Sequence, residues 1–106
     1  AARGRIVDEI GEDGGLRSAS SRSWPHAEAL KALTTEAELS GRAPDPVVAA
    51  ITARLLDLYC RSELGGGWVD HLDADDRPLS QVMPASTLYH LHFGLTSVVD
   101  TARCGV

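Results

Sequence analysis

The stretch from Pro84 to Val99 constrains the fold most, because a proline opens a long run with helical periodicity. Proline has no N–H, which the first helical turn does not use, and its φ is already helical. The pattern therefore predicts a helix from Pro84 to about Val99. At 3.6 residues per turn, its predicted buried stripe contains Leu88, Leu91, Leu95 and Val98 or Val99.

A second stripe of the same helix carries small and polar residues around one imidazole. Its members are Ser86, His90, Gly94 and Ser97, at spacings of four, four and three. Such a stripe is typical of a pocket wall with a titratable group. The same stripe is also typical of the surroundings of a core histidine bonded to a backbone carbonyl. The pattern alone favours this structural interpretation.

Two further helices are predicted upstream. Pro25 to about Leu39 contains nearly all good helix formers, and Gly41 ends the run. The second helix is predicted from about Asp45, a plausible N-cap, to Cys60. Its predicted buried residues are Val47, Ile51, Leu55 and Leu58, with Val48 and Tyr59 beside them. The short connection between these helices predicts that they pack as an antiparallel pair.

The segments outside the helices are predicted to be short extended pieces, turns and loops. They are an extended piece at Arg5–Ile10, a turn at Gly11–Gly15, a loop at Leu16–Ser23, a flexible turn at Gly65–Gly67, a short strand at Trp68–Leu72 and a turn at Asp73–Asp76.

Length and composition predict one soluble domain. The chain has 106 residues, of which 43% are hydrophobic and 24% charged. Its net charge of −5 argues against a nucleic-acid partner, and no apolar run is long enough for a membrane span. The first residues lack the apolar core of a signal peptide and an initiator Met, so we expect a fragment or a processed product. Cys60 and Cys104 have no metal-ligand spacing, and a reducing cytoplasm is expected.

Several common sites are excluded by their patterns. The acidic cluster Asp70, Asp73, Asp75 and Asp76 fails the calcium-loop pattern at Arg77-Pro78, which favours a solvated turn. Gly65–Gly67 lacks the residues of a phosphate loop. The chain contains no H-E-x-x-H and no G-x-S-x-G, so zinc protease and serine hydrolase are both excluded.

Trp24 and Glu28 share a helical face, being four residues apart. An indole beside a carboxylate is a common carbohydrate contact, because the ring stacks on the sugar and the acid accepts its hydroxyls. The alternative is structural, since a glutamate is favoured in the first turns of a helix and pairs with Lys31 three residues later. The sequence gives no partner for His26, His71 or His92.

Two blocks together resemble one family. The block Arg22-Ser23-Trp24-Pro25-His26-Ala27-Glu28-Ala29-Leu30-Lys31-Ala32 resembles the W-P-x-x-E-x-x-K-A segment of the N-acylglucosamine 2-epimerase and mannose isomerase superfamily. The stretch from Gly67-Trp68-Val69-Asp70 to Met83-Pro84-Ala85-Ser86-Thr87-Leu88-Tyr89-His90-Leu91 is similar to that superfamily's closing segment. The order and separation of the blocks also match. The resemblance covers essentially the whole chain, residues 1–106, as the C-terminal segment of a single full-length domain.

This resemblance implies an all-α fold, part of an (α/α)6 barrel with a short hairpin-like excursion. It implies a sugar isomerase or epimerase that moves protons at C1 and C2 of a free monosaccharide through a cis-enediolate, without metal or cofactor. Within it, His90 corresponds to a catalytic acid/base, Glu28 to the glutamate that supports the catalytic groups, and Trp24 to an aromatic wall of the substrate site. The family's upstream H-x-x-E histidine and a sugar-binding arginine have no counterpart in these residues. Asp76 stands where the family's D-x-D-G turn usually has glycine.

The residues from Ser86 to Leu91 look more like the bacterial mannose isomerase branch, which implies mannose–fructose interconversion. N-acylglucosamine 2-epimerase activity is the alternative. A third hypothesis is a non-catalytic helical fragment that binds a sugar or a partner chain. Because three helices cannot close a twelve-helix barrel, we expect homo-oligomers or association with the missing N-terminal half.

Overall fold

The computed structural model describes residues 4–104, without the side chain of Cys104. Predictions for Ala1–Arg3 and for the Cys104 thiol lie outside this part. The elements in the described part, in chain order, are β1 (Glu9–Ile10), β2 (Leu16–Ser18), β3 (Ser21–Arg22), α1 (Ser23–Ser40), α2 (Val47–Arg54), a π-helical turn (Leu55–Tyr59), a 3₁₀ turn (Ser62–Leu64), β4 (His71–Leu72) and α3 (Ala85–Cys104). The fold is mostly helical with small sheets, so the helical part of the prediction is confirmed.

Helix α1 begins two residues before Pro25 and ends where the sequence predicts. Gly41 follows it with φ 71°, a left-handed conformation that glycine adopts without steric cost. Leu30 and Ala37 lie on its buried face, about two turns apart. The helix packs mainly against α3 and to a smaller extent against α2.

The second predicted helix is confirmed, with a change of geometry near its end. The Asp45 carboxylate accepts a hydrogen bond from the Val47 N–H at 2.8 Å, which satisfies a free donor of the first turn. After Arg54 the helix widens into the π-helical turn, and the Cys60 N–H donates to the Leu55 carbonyl at 2.8 Å.

The core lies between α1, α2 and the segment around β4. Its largest fully buried side chains include Leu30, Leu55, Tyr59 and Leu72. Burial raises the pKa of the Tyr59 phenol, and a 2.7 Å hydrogen bond with the Ser21 hydroxyl satisfies this buried group. The polar contact fixes β3 against the π-helical turn.

Two small antiparallel sheets connect the helices. Strand β1 pairs with β2, and β3 pairs with β4 through Ser21–Leu72 and Arg22–His71. The loop predicted at Leu16–Ser23 is therefore wrong, because strands of two or three residues leave no alternating pattern. The turn predicted at Gly11–Gly15 is confirmed by a 2.7 Å hydrogen bond from the Gly11 N–H to the Gly15 carbonyl.

The segment after β4 folds back as a hairpin through the predicted turn at Asp73–Asp76. The Leu79 N–H donates to the His71 carbonyl at 2.9 Å, and the Asp73 N–H donates to the Arg77 carbonyl at 2.8 Å. The backbone N–H of Arg77 bonds the Asp73 carboxylate and holds the pKa of that group below its usual value.

The interpretation of the whole acidic cluster as a solvated turn is wrong for two of its members. Asp70 is buried, with 8% of its surface exposed. Asp76 has φ 62° and forms an ion pair with Arg54, whose side chain is only 6% exposed. Asp76 therefore connects this turn to α2. A glycine at position 76 would leave the Arg54 guanidinium without this partner.

Helix α3 exposes more apolar surface than its periodicity predicts. Leu91 is buried as expected, and Leu95 and Val98 are partly buried against the core, but Leu88 is 54% exposed, which corrects that position of the predicted stripe. The buried face is rotated toward Thr87, Leu91 and Gly94, because Gly94 lies against α1. No helix within residues 4–104 combines the length and the apolar character needed to cross a bilayer.

Candidate functional site

Glu28 of α1 and His90 of α3 meet where these two helices pack. The His90 Nδ1 atom lies 2.5 Å from the Glu28 Oε1 atom, across 62 residues of sequence. Since a carboxylate accepts, neutral His90 donates through Nδ1–H, which leaves the lone pair on Nε2. An imidazole oriented by a carboxylate in this way can take up a proton at Nε2, and the carboxylate stabilises the resulting cation.

Trp24 completes this group on the α1 side. Its ring centroid lies 5.7 Å from that of His90, with the planes tilted by 40°, and 44% of its surface is exposed. An exposed indole face beside an acid/base pair can hold the C–H face of a sugar. The structure thus brings together the three residues that the sequence selected.

Lys31 lies one helical turn beyond Glu28 and contacts its other carboxylate oxygen. The Lys31 Nζ atom is 3.3 Å from Oε2, and it also donates at 3.4 Å to Oε1, the oxygen that accepts from His90. The His90 hydrogen bond holds the pKa of Glu28 below its usual value; partial burial opposes this shift, and Lys31 adds to it. Glu28 is therefore a carboxylate at neutral pH and remains an acceptor for His90.

The helix crossing brings the dyad within hydrogen-bonding distance. Gly94 follows His90 by one turn, and a Cβ built on it would lie 2.7 Å from the Ala27 carbonyl oxygen. Ala27 directly precedes Glu28. The lack of a side chain at Gly94 lets the two backbones approach closely enough for Glu28 and His90 to bond.

Aromatic rings continue from His90 along the exposed side of α3. Tyr89 lies edge-on to His90 with centroids 5.7 Å apart, and Phe93 lies 4.8 Å from Tyr89. Both rings are exposed, at 60% and 44%. Periodicity missed this face because it selects the residues that point into the core.

His26, rather than His90, is the core histidine of the structure. Its Nδ1–H donates to the Arg22 carbonyl at 2.7 Å, and its Nε2 accepts from the Ile6 N–H at 3.0 Å. Burial lowers the pKa of His26, although the Arg22 carbonyl opposes this. These contacts fix a neutral imidazole with both ring nitrogen atoms hydrogen-bonded, so neither nitrogen of His26 is available as a base.

A cleft of about 550 Å³ lies beside Trp24 and contains a hydrogen-bonded cluster around Asp8. The Asp8 Oδ2 atom accepts from the Ser20 hydroxyl at 2.6 Å and lies 2.9 Å from His71 Nε2 and 3.6 Å from Arg22 Nε. His71 thus has a partner that the sequence did not reveal, because Asp8 is 63 residues away. His92 is exposed and contacts Phe93.

The described residues contain no group of three or more histidine, cysteine or acidic side chains placed to hold a metal ion. Cys60 is half-buried, and burial raises the pKa of its thiol.

Comparison with known proteins agrees with these features. No curated protein and no solved structure matches the chain. The family model described as N-acylglucosamine 2-epimerase (GlcNAc 2-epimerase) matches residues 1–93, a range that includes both Glu28 and His90 but ends within α3. The chain therefore belongs to the N-acylglucosamine 2-epimerase family.

Proposed function

We propose that the protein containing this chain is a sugar isomerase or epimerase that transfers protons at C1 and C2 of a free aldose. The observation that carries this proposal is the 2.5 Å hydrogen bond between Glu28 and His90 beside the exposed face of Trp24. Family membership supports sugar isomerase or epimerase chemistry in general. The chain is then the C-terminal segment of an (α/α)6-barrel domain, whose sugar site it helps to form.

In this mechanism Trp24 holds the sugar ring and His90 is the acid/base. His90 Nε2 removes the proton from the carbon next to the carbonyl, which gives a cis-enediolate. The Glu28 carboxylate stabilises the imidazolium that forms. Returning the proton to C1, with the hydroxyl proton passing from O2 to O1, gives the ketose, whereas epimerisation requires delivery to the opposite face of C2 by a second acid/base. Residues of the upstream half would supply that second group.

We favour mannose–fructose isomerisation, since Ser86–Leu91 resembles the bacterial mannose isomerase branch. Interconversion of N-acetylglucosamine and N-acetylmannosamine is the second candidate, favoured by the description of the matching family model. A non-catalytic sugar- or partner-binding role is the candidate of another class. The apolar side chains exposed on α3 support association with the upstream half or with a second copy; they are Leu88, Tyr89, Phe93 and Val99.

The test uses the full-length protein and three sugars: mannose, N-acetylmannosamine and cellobiose. Conversion is followed together with deuterium uptake at C1 or C2 in heavy water, because proton transfer through an enediolate exchanges that hydrogen with solvent. We expect His90→Gln to lower kcat by about 10²- to 10⁴-fold. His92→Gln is the matched control, since His92 is exposed on the same helix two residues later.

The outcomes separate the candidates. Conversion of mannose supports the isomerase, and conversion of N-acetylmannosamine supports the 2-epimerase. Sugar binding by the wild-type protein without conversion or deuterium uptake would instead support the non-catalytic role. Normal turnover in the His90→Gln variant would refute the assignment of His90.

A further inference from the structure

Buried Asp70 joins the first turns of α1 and α3. Its Oδ1 atom accepts from the Thr87 hydroxyl at 2.7 Å and from the Ser23 hydroxyl at 3.4 Å. Its backbone carbonyl also accepts from the Ser23 N–H at 3.0 Å. Asp70, Thr87 and Ser23 are 8%, 3% and 0% exposed, so these bonds have little competition from water. They fix the two helix beginnings to the residue that precedes β4.

These bonds lie close to the candidate catalytic groups. Ser23 is adjacent to Trp24 in α1, and Thr87 precedes His90 by about one turn of α3. Gly94 contacts α1 one turn after His90. His90 is therefore held between a polar contact at Thr87 and a close backbone contact at Gly94. Loss of the polar contact would let the first turn of α3 rotate or shift relative to Glu28.

The charge on Asp70 suits this location. None of the ion pairs in the described part of the chain includes Asp70, whereas α1 and α3 both begin beside its carboxylate. A negative charge near a helix N-terminus is favourable, and two helices contribute here. The Asp70 carboxylate thus accepts from two hydroxyls, and its negative charge complements the N-termini of both helices.

We propose that Asp70, acting through Thr87, is a positioning residue that sets the geometry of the Glu28–His90 pair. As a statement about catalysis it rests on the proposed function, but the geometry itself can be measured without turnover. The substitution Thr87→Val removes the donor at nearly constant volume. Thr87→Ser keeps the hydroxyl, and Asp70→Asn keeps an acceptor oxygen while removing the charge.

Thr34→Val is the matched control, since it also removes a buried threonine hydroxyl, but one that lies in α1 rather than in α3. Thr34 is 3% exposed, and its hydroxyl donates only within its own helix, at 2.7 Å to the Leu30 carbonyl and 3.2 Å to the Lys31 carbonyl. It lies six residues beyond Glu28. A loss of stability without an effect on the dyad is expected there.

Two readouts are taken on the full-length protein at matched temperature below unfolding. The first is the ¹H–¹⁵N signal of the His90 ring, in which the Nδ1–H bonded to Glu28 gives a strongly downfield proton. We expect Thr87→Val to shift or broaden this signal, Thr87→Ser to restore it and Thr34→Val to leave it unchanged. The second is turnover, where Thr87→Val should lower kcat by roughly ten- to a hundredfold with little change in KM, as expected for misplaced catalytic groups.

A ring signal and a kcat in Thr87→Val equal to those of Thr34→Val would overturn the proposal. If Asp70→Asn does not fold, the comparison of the three threonine variants still decides it. A wild-type protein without turnover on any sugar would contradict the proposed function alone, because the ring signal reports positioning independently.

Discussion

Gly94 of α3 lies directly on the backbone of Ala27 in α1. A Cβ atom on Gly94 would be 2.7 Å from the Ala27 carbonyl oxygen and 2.8 Å from its Cα atom. Real Cβ atoms do not approach backbone this closely, and backbone in a helix cannot move aside as a flexible side chain can. The separation of α1 and α3 therefore depends on glycine at this position.

Gly94→Ala should destabilise the protein even though alanine is the better helix former. The gain in helix propensity is about 1 kcal/mol. Forcing the helices apart costs typically about 1–3 kcal/mol and lengthens the Glu28–His90 hydrogen bond. We expect a net loss in the free energy of unfolding, measured by urea denaturation, together with reduced turnover.

Ala27→Gly in the Gly94→Ala background provides the control. The Ala27 Cβ lies 2.9 Å from the added methyl group, so its removal relieves part of the crowding, while the backbone contacts persist. Partial recovery of turnover is expected. A Gly94→Ala protein more stable than wild type would contradict the close contact.

The sequence predicts the existence of all three helices because each has a proline near its start and helical periodicity. It misplaces one position of the buried face of α3, where Leu88 is exposed while Val98 packs on the core. Periodicity reports which residues are apolar, whereas Gly94 and Thr87 decide which side meets α1. A glycine and a threonine carry no hydrophobic pattern, so their roles in packing emerge only from the structure.

The decrease of stability in acid should reveal the contribution of the Glu28 carboxylate, which contacts both His90 and Lys31. The pKa of Glu28 is lowered in the folded state, chiefly by the His90 hydrogen bond. The sign follows from proton linkage: this stabilisation is present above the usual value of 4.5 and is lost as the pH falls through the lowered folded pKa. The free energies of unfolding of wild type and of Glu28→Gln should thus differ at pH 6 and converge at low pH.

Glu38→Gln serves as the control for this series, because Glu38 is exposed at the distal part of the same helix. Its difference from wild type should be small and nearly constant over the same range. A Glu28→Gln effect of equal size at low and neutral pH would show that the carboxylate charge contributes no stability.

His26 should make the protein sensitive to weaker acid. Burial lowers its pKa from 6.5, so the unfolded chain binds a proton at a higher pH than the folded chain does. Stability from this group is complete above about pH 6.5 and decreases as the pH falls toward the lowered folded pKa. His26→Gln should lose stability but also lose this pH dependence, as measured by thermal unfolding between pH 5 and 8.

His92→Gln is the comparison for His26, since its ring is exposed. The pH dependence of unfolding should stay as in wild type. Persistence of the full dependence in His26→Gln would assign it to another group.

The partners of His26 and His71 illustrate a second limit of sequence reasoning. Ile6 and Asp8 contact them from the N-terminal segment, 20 and 63 residues away. Strands of two or three residues bring these segments together, and such strands have no readable period. By contrast, Trp24 and Glu28 share a face of one helix, and the family resemblance of their block then assigns both to the sugar site.

Asp76→Gly should destabilise the protein although it removes the steric cost of a left-handed backbone conformation at this position. Glycine removes the cost of the left-handed conformation at φ 62°, about 1 kcal/mol. It also leaves the buried Arg54 guanidinium without its carboxylate, a loss of up to about 3 kcal/mol. Urea denaturation should give a net decrease, and Arg54→Met combined with Asp76→Gly should recover much of it. A stabilised Asp76→Gly protein would mean that water replaces the ion pair.

The hydrogen bond between Glu28 and His90 has a kinetic consequence. Its partners are 62 residues apart, and the long connection between the π-helical turn and α3 contributes no regular helix beyond one short 3₁₀ turn. Closing so long a loop is slower than forming either helix or packing α2 on α1. We therefore expect the Glu28–His90 pair to form late during folding, after α1 and α2 have packed together.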